Sequence, residues 1–399
     1  MNDARGTPGQ QGALCLALFG AGYAANTVSP VLVYYAVADH LSTTILTLFF
    51  TAYAVGLAIA LVFVGTLSDR FGRKRLFAPS AAVLVVAVIA LLAASRWGPP
   101  LILLGRLLQG LAGGAVYAVG TVWLRELAGT AHAGEAAMRA TASMAFGFGV
   151  GPFVGGVLVQ WLPAVRVLTL LVALAMVLGT TFISLRLPES LTARGRGGVR
   201  IGLPHGTGWG FLVYLAPCAL LVYTFVMLAM IAFPIQLDHA GFRQVYFIQG
   251  VSLLLVLGMA TVATRWARLL GPATSGWLAG LCGALGCGLG WLVVQPGGWP
   301  WILPASVAIG IGSGLAITAG VIVSDRLAPV DGRGALLSMF YIVAYVGFSS
   351  PTILSLMFGA NTMERGGTIL ALGGAALVLA VVLALPGRML VRRHPAAAP

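Results

Sequence analysis

Long apolar runs separated by short polar connections fill the chain. Twelve of them reach the length of about 20 residues with which a helix crosses a bilayer. Their apolar positions are continuous rather than alternating, which excludes the strands of a membrane β-barrel. The pattern predicts an all-α polytopic membrane protein with spans 1 to 12, in chain order, over residues 12–36, 43–66, 77–95, 100–123, 136–160, 163–187, 209–235, 242–264, 271–294, 300–324, 334–358 and 365–386.

Composition agrees with this pattern. Charged residues make up 8% of the 399 residues, against about a quarter in soluble domains. Twelve spans leave no room for a soluble domain, so function has to reside among the helices. A net charge of +13 would suggest nucleic acid in a soluble protein, but most of these basic residues lie between spans. Nucleic acid is therefore not an expected partner, and the lipid bilayer is.

The basic residues predict the orientation of the chain. If both termini are cytoplasmic, 18 of the 23 basic residues fall on the cytoplasmic side, as the positive-inside rule requires. The chain then ends in a short basic cytoplasmic tail. A single lysine against 22 arginines, with abundant Ala and Gly, hints at a high-GC bacterial genome. We expect a multi-pass protein of the bacterial cytoplasmic membrane.

The longest polar connection divides the chain into two halves. It predicts a six-helix bundle over 1–187, a cytoplasmic central loop over 188–208 and a second bundle over 209–399. Related features recur about 200 residues apart: Ser29-Pro30 and Phe233-Pro234, then Asp39-His40 and Asp238-His239. Such weak repeats are typical of transporters built from two six-helix halves around a central substrate site.

Enzyme and ATPase motifs are missing from the sequence. Lys74, the only lysine, follows no glycine-rich loop, so a P-loop is excluded, and neither HExxH nor GxSxG occurs. The four cysteines lie inside apolar spans, with no metal-binding spacing. We expect no enzymatic activity, no metal and no cofactor; pumping would draw on a gradient, with protons as the expected coupling ion.

The connection between spans 2 and 3, residues 65–75, reads GTLSDRFGRKR. It resembles the cytoplasmic signature loop of the major facilitator superfamily. Gly72 provides a tight turn and Gly65 a close helix approach. Asp69 at the membrane edge can pair with an arginine or cap the amino end of a facing helix, and such a pair would hold one conformation and break in the other. Arg70 and Arg73 belong to the same predicted latch. The alternative is a basic loop that only fixes orientation.

The second half lacks part of this pattern. The corresponding stretch, residues 260–268, keeps Arg265 but has Thr264 where Asp69 would stand. We therefore predict an asymmetric latch.

Span 4 contains Gly105-Arg106-Leu107-Leu108-Gln109-Gly110, which resembles the Arg-x-x-Gln-Gly motif of the same family. Arg106 is the one formally charged residue predicted more than four residues inside a span, where burial costs at least about 2.5 kcal/mol and demands a partner. The resemblance implies a role in proton transfer. The alternative is that Arg106 clamps backbone carbonyls of span 1 and snorkels outward.

Span 5 contains a glycine stripe, Gly147, Gly151 and Gly155, together with Pro152, which can kink the helix. It is similar to the antiporter motif of the family's drug:proton exporters, although Met138 replaces the earliest glycine. The resemblance implies export and makes the stripe a moving interface. A generic helix-packing face is the alternative.

The resemblance extends over the whole chain, but one departure concerns coupling. Some of these exporters carry an acid within span 1, whereas here the first acid is Asp39, at its outer end. Asp39 can serve if it folds inward beside Arg106. The other candidate proton carriers are His40, Asp238 and His239 on the outer side and Asp69, Glu126 and Asp325 on the inner side.

Polar, aromatic and Met side chains inside spans are expected to face the bundle interior. They predict a nearly neutral, aromatic cavity for an apolar, aromatic or amphiphilic ligand. The alternative for each is a tie between helices. The predicted cavity residues are Tyr23, Asn26, Thr27, Tyr117, Tyr223, Met227, Gln249, Tyr341 and Tyr345.

The sequence therefore predicts a twelve-helix major facilitator with two pseudo-symmetric bundles. Its expected function is proton-coupled export of a small hydrophobic or amphiphilic compound by alternating access, with one chain sufficient. An importer or facilitator of a metabolite is the second hypothesis. A transporter-like receptor or scaffold is the hypothesis from a different class.

Overall fold

A computed structural model of the chain describes residues 6–190, 203–328, 333–359 and 366–384. These residues are almost entirely helical and contain no strand. Twelve helical spans within them are long and apolar enough to cross a membrane. The all-α polytopic fold predicted from the hydrophobic pattern is confirmed.

Six spans precede the central loop. Their helices are Pro8–Thr27 with Ser29–Val37 for span 1, Thr43–Phe71 for span 2, Arg73–Trp97 for span 3, Pro99–Ala128 for span 4, Ala133–Trp161 for span 5 and Val165–Arg186 for span 6. The remaining helices are Gly208–Gly210, Ala216–Met227 and Phe233–His239 for span 7, Val245–Leu270 for span 8, Pro272–Val293 for span 9, Ile302–Leu327 for span 10, Arg333–Val346 with Ser350–Phe358 for span 11 and Gly366–Ala384 for span 12.

Several helices run past the predicted hydrophobic limits. Span 2 continues to Phe71 and span 4 to Ala128, where Gly72 and Gly129 follow with φ of 106° and 77°. Glycine adopts this left-handed region at little cost, so it ends the helix. Hydropathy marks where hydrocarbon ends, whereas the glycines decide where the helix ends.

The chain separates into two compact units. One comprises Met1–Tyr34 and Phe49–Val199, and the other Tyr35–Leu48 and Arg200–Pro399. Residues 35–48 thus group with the second unit, although the sequence assigned them to the first bundle. Most of the predicted central loop, 191–202, and the basic tail lie outside the described residues. The boundaries of the three segments, 1–187, 188–208 and 209–399, stay a prediction.

Spans 1 and 5 approach each other closely in the first unit. A Cβ atom added to Gly155 would lie 2.6 Å from the Thr27 carbonyl oxygen, and one added to Gly147 or Gly151 would overlap the span 1 backbone at Phe19 or Tyr23. A real Cβ atom does not fit at such distances. The predicted glycine stripe is therefore the surface on which span 5 packs against the span 1 backbone.

A second close approach occurs in both units. In the first, Gly110 of span 4 faces the Tyr53 carbonyl of span 2; in the second, Gly310 and Gly314 of span 10 face the carbonyls of Val256 and Ala260 in span 8. Spans 2 and 4 of the first unit and spans 8 and 10 of the second unit thus pack in the same way, with glycines of one helix against carbonyls of the other. The three-glycine stripe of span 5 against span 1 has a smaller counterpart in the second unit. There, Gly347 of span 11 approaches the span 7 backbone at Tyr223 and Thr224.

We predict that Gly151→Ala destabilises the protein, because the new methyl group would overlap the Tyr23 carbonyl. Overpacking of this kind costs about 1–3 kcal/mol, which outweighs the helix propensity gained. The melting temperature of the purified protein in detergent should fall by several degrees. Gly179→Ala is the matched control, since nothing lies within 4 Å of its added Cβ. Equal stability of the two variants would contradict the close approach.

Candidate functional site

Arg106 is completely buried within the first unit. Its guanidinium donates from Nη1 to the Ala25 carbonyl at 3.0 Å and to Gln109 Oε1 at 2.6 Å, and from Nε to the Phe49 carbonyl at 3.3 Å. These bonds connect span 4 to spans 1 and 2. The geometry is that of the carbonyl clamp, without the outward snorkelling, and a role in proton transfer stays a prediction.

The clamp includes Gln109, the glutamine of the Arg-x-x-Gln-Gly motif, to which the sequence analysis assigned no role. Span 1 is interrupted at Val28, whose N–H bonds to the Asn26 carbonyl, two residues back. The Ala24 carbonyl accepts a hydrogen bond from Gln109 Nε2 at 2.8 Å. A membrane helix can be interrupted only where neighbours supply the missing hydrogen bonds, so Gln109 and Arg106 together stabilise this break.

Aromatic rings surround the guanidinium. The Arg106 Cζ atom lies 4.4 Å from the Tyr53 ring centroid and 5.6 Å from that of Phe50, within cation–π range. Tyr53 is hydrogen-bonded to Tyr117, whose hydroxyl donates to the Ala21 carbonyl at 3.1 Å. Tyr117, predicted to line the cavity, thus belongs to the arginine's surroundings.

Carboxylates take no part in these hydrogen bonds. Nη2 of Arg106 has no hydrogen-bond partner among the described residues. Asp39, which would have had to fold inward, is exposed beyond the end of span 1. A carboxylate is costly to remove from water, which fits this exposed position. The role of Asp39 as a proton carrier stays a prediction.

A charge cluster lies at the end of span 2 and the start of span 3. Arg73, almost fully buried, donates to Asp69 Oδ1 at 2.6 Å, Ser68 Oγ at 2.6 Å and Glu126 Oε1 at 2.8 Å. The structure therefore pairs Asp69 with Arg73 of the same loop. Arg70 is exposed and lies over the Phe71 ring instead.

Glu189, after span 6, caps the helix that begins at Arg73. Its carboxylate accepts from the backbone N–H groups of Arg73 at 2.8 Å and Lys74 at 3.1 Å. An acid at a helix N-terminus satisfies free N–H groups and complements the helix dipole. Gly72, with φ of 106°, allows the approach, because a Cβ there would lie 2.5 Å from Glu189 Oε2.

Further bonds hold the segment after span 6 against this cluster. Ser190 Oγ donates to Glu126 at 2.5 Å, and Trp123 Nε1 donates to the Pro188 carbonyl at 3.1 Å. Sequence reasoning missed Glu189. The signal that could have identified Glu189 is the presence of a rare acid at the start of the basic central loop.

Four aromatic residues form one group in the second unit, which we call the tyrosine stack: Tyr223, Tyr341, Tyr345 and Phe348. Tyr223 and Tyr345 stack with centroids 5.2 Å apart and planes at 10°. Tyr341 extends the stack at 6.4 Å from Tyr345, and Phe348 lies 4.6 Å from Tyr223. Spans 7 and 11 thus bring together all three tyrosines predicted for the cavity in this half.

Two amide side chains predicted to line the cavity donate hydrogen bonds to carbonyls that prolines inside spans leave without a donor. Pro234 has no N–H for the carbonyl four residues earlier, and Gln249 Nε2 donates to that carbonyl, of Met230, at 2.8 Å. Pro152 likewise frees the Phe148 carbonyl, which accepts from Asn26 Nδ2 at 3.4 Å. In each unit, a polar side chain of a neighbouring helix satisfies the freed carbonyl.

The remaining predicted positions are less informative. Tyr23 and Thr27 are buried, with their backbones beneath the glycine stripe, and Met227 is buried in span 7. Gly65 lies within the span 2 helix. A cavity role for these side chains stays a prediction.

Twelve membrane spans with a buried arginine clamp and a basic cluster at one edge are the features of a multi-pass transporter. Residues 14–352 match the Major Facilitator Superfamily. The chain belongs to this family, and it is a transporter rather than an enzyme. Family members bind small-molecule substrates within the membrane.

Curated relatives are similar over short segments. The chain is 34% identical over 116 residues to the uncharacterized MFS-type transporter YfiU of Bacillus subtilis (strain 168), covering 28% of this chain and 21% of YfiU. It is 39% identical over 77 residues to multidrug resistance protein MdtL of Escherichia coli, covering 19% of each. The chain thus spans about a fifth of the length of these relatives.

Solved structures share the fold over almost the full length. A crystal structure of a point mutant of peptide transporter POT superimposes with a TM-score of 0.77 over 98% of both chains. Sequence identity is 14%, so this likeness is one of fold alone.

We predict that Glu189→Ala destabilises the first unit, because two N–H groups at the start of span 3 lose their acceptor. Loss of a helix cap costs about 0.5–2 kcal/mol. Glu135→Ala is the control, since Glu135 makes an exposed pair with Arg139 at 3.7 Å and such pairs contribute little. Thermal unfolding in detergent should separate the two variants. Equal melting temperatures would contradict the cap.

We also predict that Gln249→Leu costs about 1 kcal/mol, because the Met230 carbonyl loses its donor. The cost should shrink when Pro234→Ala restores an N–H to span 7. A double-mutant cycle on the free energy of unfolding measures this coupling. Additive effects of the two substitutions would show that Gln249 and Pro234 are independent.

Proposed function

We propose that the protein exports a small hydrophobic or amphiphilic compound by proton antiport with alternating access. The observation that carries this proposal is the glycine stripe of span 5, which packs directly on the span 1 backbone and carries Pro152. A smooth stripe lets one helix move against another without side-chain interlocking. Its motif resembles that of drug exporters, and the segment similarity to a multidrug resistance protein supports the same direction.

The Arg73 cluster is the proposed latch. It connects the loop between spans 2 and 3 to Glu126 of span 4 and to the segment after span 6. Charges at the membrane edge can form or lose such bonds as the exposed side changes. Asp69, with its side chain 55% exposed, is the member best placed to exchange partners during the cycle.

Proton coupling is the part of the proposal that needs a titrating group. The described acids lie at helix ends or in connections, where water reaches them. The candidates are Asp39, Asp69, Glu126, Asp238 and Asp325, together with the exposed His40 and His239. Arg106 stays protonated across physiological pH. It would act as a fixed charge that favours or disfavours a protonation state elsewhere, rather than as the carrier.

We place the protein in the bacterial cytoplasmic membrane, with both termini in the cytoplasm and one chain as the working unit. The concentration of arginine in the inner connections supports this orientation. In this orientation the Arg73 cluster faces the cytoplasm.

One observation favours a second candidate. The middle of each described span lacks a carboxylate, so an uncoupled facilitator of the same fold needs no further group. Direction and coupling separate the candidates: an exporter lowers the cellular content of its substrate, whereas an importer raises it.

We expect expression of the chain in a pump-deficient bacterium to raise resistance to at least one hydrophobic compound. Asp69→Asn should lower its export threefold or more with unchanged protein level and melting temperature, because the latch loses a charge. Glu135→Gln, in an exposed pair, is the control. Accumulation assays give the rates, and wild-type rates in Asp69→Asn would remove the latch.

Substrate addition to sealed, energised vesicles should also release part of the pH gradient. A constant gradient during active export would exclude proton antiport.

A further inference from the structure

A groove lies within the first unit, where span 1 begins and span 6 ends. Its volume is about 380 Å³, which is in the range of small-molecule sites. Part of its wall is apolar and comes from Ala13 of span 1 and from Ile183 and Leu187 at the end of span 6. One turn deeper the two helices are in contact, because Thr180 Oγ1 donates to the Ala17 carbonyl at 3.0 Å. The groove is therefore confined to the ends of the two spans.

Arg186 provides the positive charge of this groove. It is the exposed last residue of the span 6 helix, and its Cζ atom lies 4.1 Å from the centroid of the Phe182 ring, which orients the guanidinium. Within the part of the chain that the structure describes, no carboxylate is bonded to Arg186. Glu189, three residues further on, accepts from the N–H groups at the start of span 3 instead. The N–H donors of Arg186 are therefore left to water or a ligand.

The polar groups around Arg186 are also suited to an anion. Lys74 Nζ donates to the carbonyl of Leu185 at 2.8 Å, which brings a second positive charge to the last turn of span 6. Thr7, which lines the groove, accepts from the Gln10 N–H at 3.3 Å, and this leaves its hydroxyl proton for another acceptor. Two cations and a hydroxyl donor at one helix end favour a phosphate over a cation or a neutral polar ligand.

An exposed apolar row leads away from the groove along span 6. Leu171, Leu178, Phe182 and Leu185 are all exposed, and their spacing of seven, four and three residues places them on one face of the helix. Arg186 stands at the end of this row. In a helix that crosses the bilayer, such a face contacts acyl chains. A molecule with a phosphate and an acyl chain can therefore use the arginine and the row together, whereas a soluble anion can use only the arginine.

We propose that the groove binds the headgroup of an anionic phospholipid, with the phosphate on Arg186 and an acyl chain along the apolar row of span 6. A guanidinium binds phosphate through two parallel hydrogen bonds, which makes arginine the stronger partner of the two basic residues. Basic pockets between spans are suited to anionic headgroups for the same reason. The site belongs to the first unit alone, and it requires neither export nor proton coupling.

The test is native mass spectrometry of the purified full chain in detergent, which gives the Kd of individual bound lipids. The probes are phosphatidylglycerol and phosphatidylcholine with identical acyl chains, and sn-glycerol 3-phosphate as a headgroup without chains. One basic residue near a membrane surface strengthens the binding of an anionic lipid about fivefold. With Arg186 and Lys74 at the groove, we expect phosphatidylglycerol to bind at least tenfold more tightly than phosphatidylcholine. A hundredfold excess of sn-glycerol 3-phosphate should not displace it.

A first pair of variants tests the charge. Arg186→Gln should reduce the preference for phosphatidylglycerol to threefold or less. Arg125→Gln is the matched control, because Arg125 is also an exposed arginine in the last turn of its span and does not line the groove. It should retain the wild-type preference. Phosphatidylglycerol should also raise the melting temperature of the wild type and of Arg125→Gln, and leave that of Arg186→Gln unchanged.

A second pair tests the space and leaves the charge unchanged. Gly9→Leu places a side chain in the groove and should weaken phosphatidylglycerol at least fivefold. Gly12→Leu, exposed on the same helix and outside the groove, should not. Both positions accept a Cβ atom, since the nearest atom is Thr7 Oγ1 at 3.9 Å for Gly9 and nothing lies within 4 Å for Gly12.

Equal binding of the two lipids by the wild type overturns the proposal, and this comparison needs no variant. A preference that persists in Arg186→Gln, or wild-type binding by Gly9→Leu, would remove the groove as the site. Displacement of the lipid by sn-glycerol 3-phosphate would show a site for soluble phosphates and refute the lipid.

Discussion

Every backbone polar group inside the hydrocarbon must find its partner within the protein, because water is not available there. Helices satisfy most of these groups, and the exceptions in this chain are where neighbouring side chains intervene. Gln109 donates a hydrogen bond at the break at Val28. Gln249 donates to the carbonyl freed by Pro234, and Asn26 donates to the carbonyl freed by Pro152. Several polar residues inside spans thus hold interrupted helices together.

The same requirement explains the buried arginine. A guanidinium carries five donors, and a membrane helix break offers carbonyls in need of donors. Arg106 connects span 4 to spans 1 and 2 through the carbonyls of Ala25 and Phe49, with the rings of Phe50 and Tyr53 on its faces. Its structural value comes from these bonds, whereas its charge is left unbalanced. One residue therefore connects three spans of the first unit.

The charge cluster at the membrane edge is of a different kind, because water and carboxylates are both present there. Arg73 joins Asp69 and Glu126, and Glu189 caps the following helix. Arg73 is almost fully buried, but the carboxylates of Asp69 and Glu126 are partly exposed, so water can take over as their partner when a pair breaks. The Arg73 cluster is therefore suited to forming and breaking during a conformational change, whereas the buried Arg106 clamp is suited to staying intact.

The sequence by itself determined the twelve spans, the family and the motif positions, since hydrophobic length and glycine spacing are local properties. It also predicted the stripe of Gly147, Gly151 and Gly155, because residues four apart share one face of a helix whatever that helix packs against. The partners of these groups were decided only by tertiary structure. Glu189 lies far along the chain from Arg73, and Asn26 and Gln249 donate to carbonyls freed by prolines of neighbouring helices. Hydrogen-bond partners depend on which helices pack together, and that choice is made by surfaces that no single segment contains.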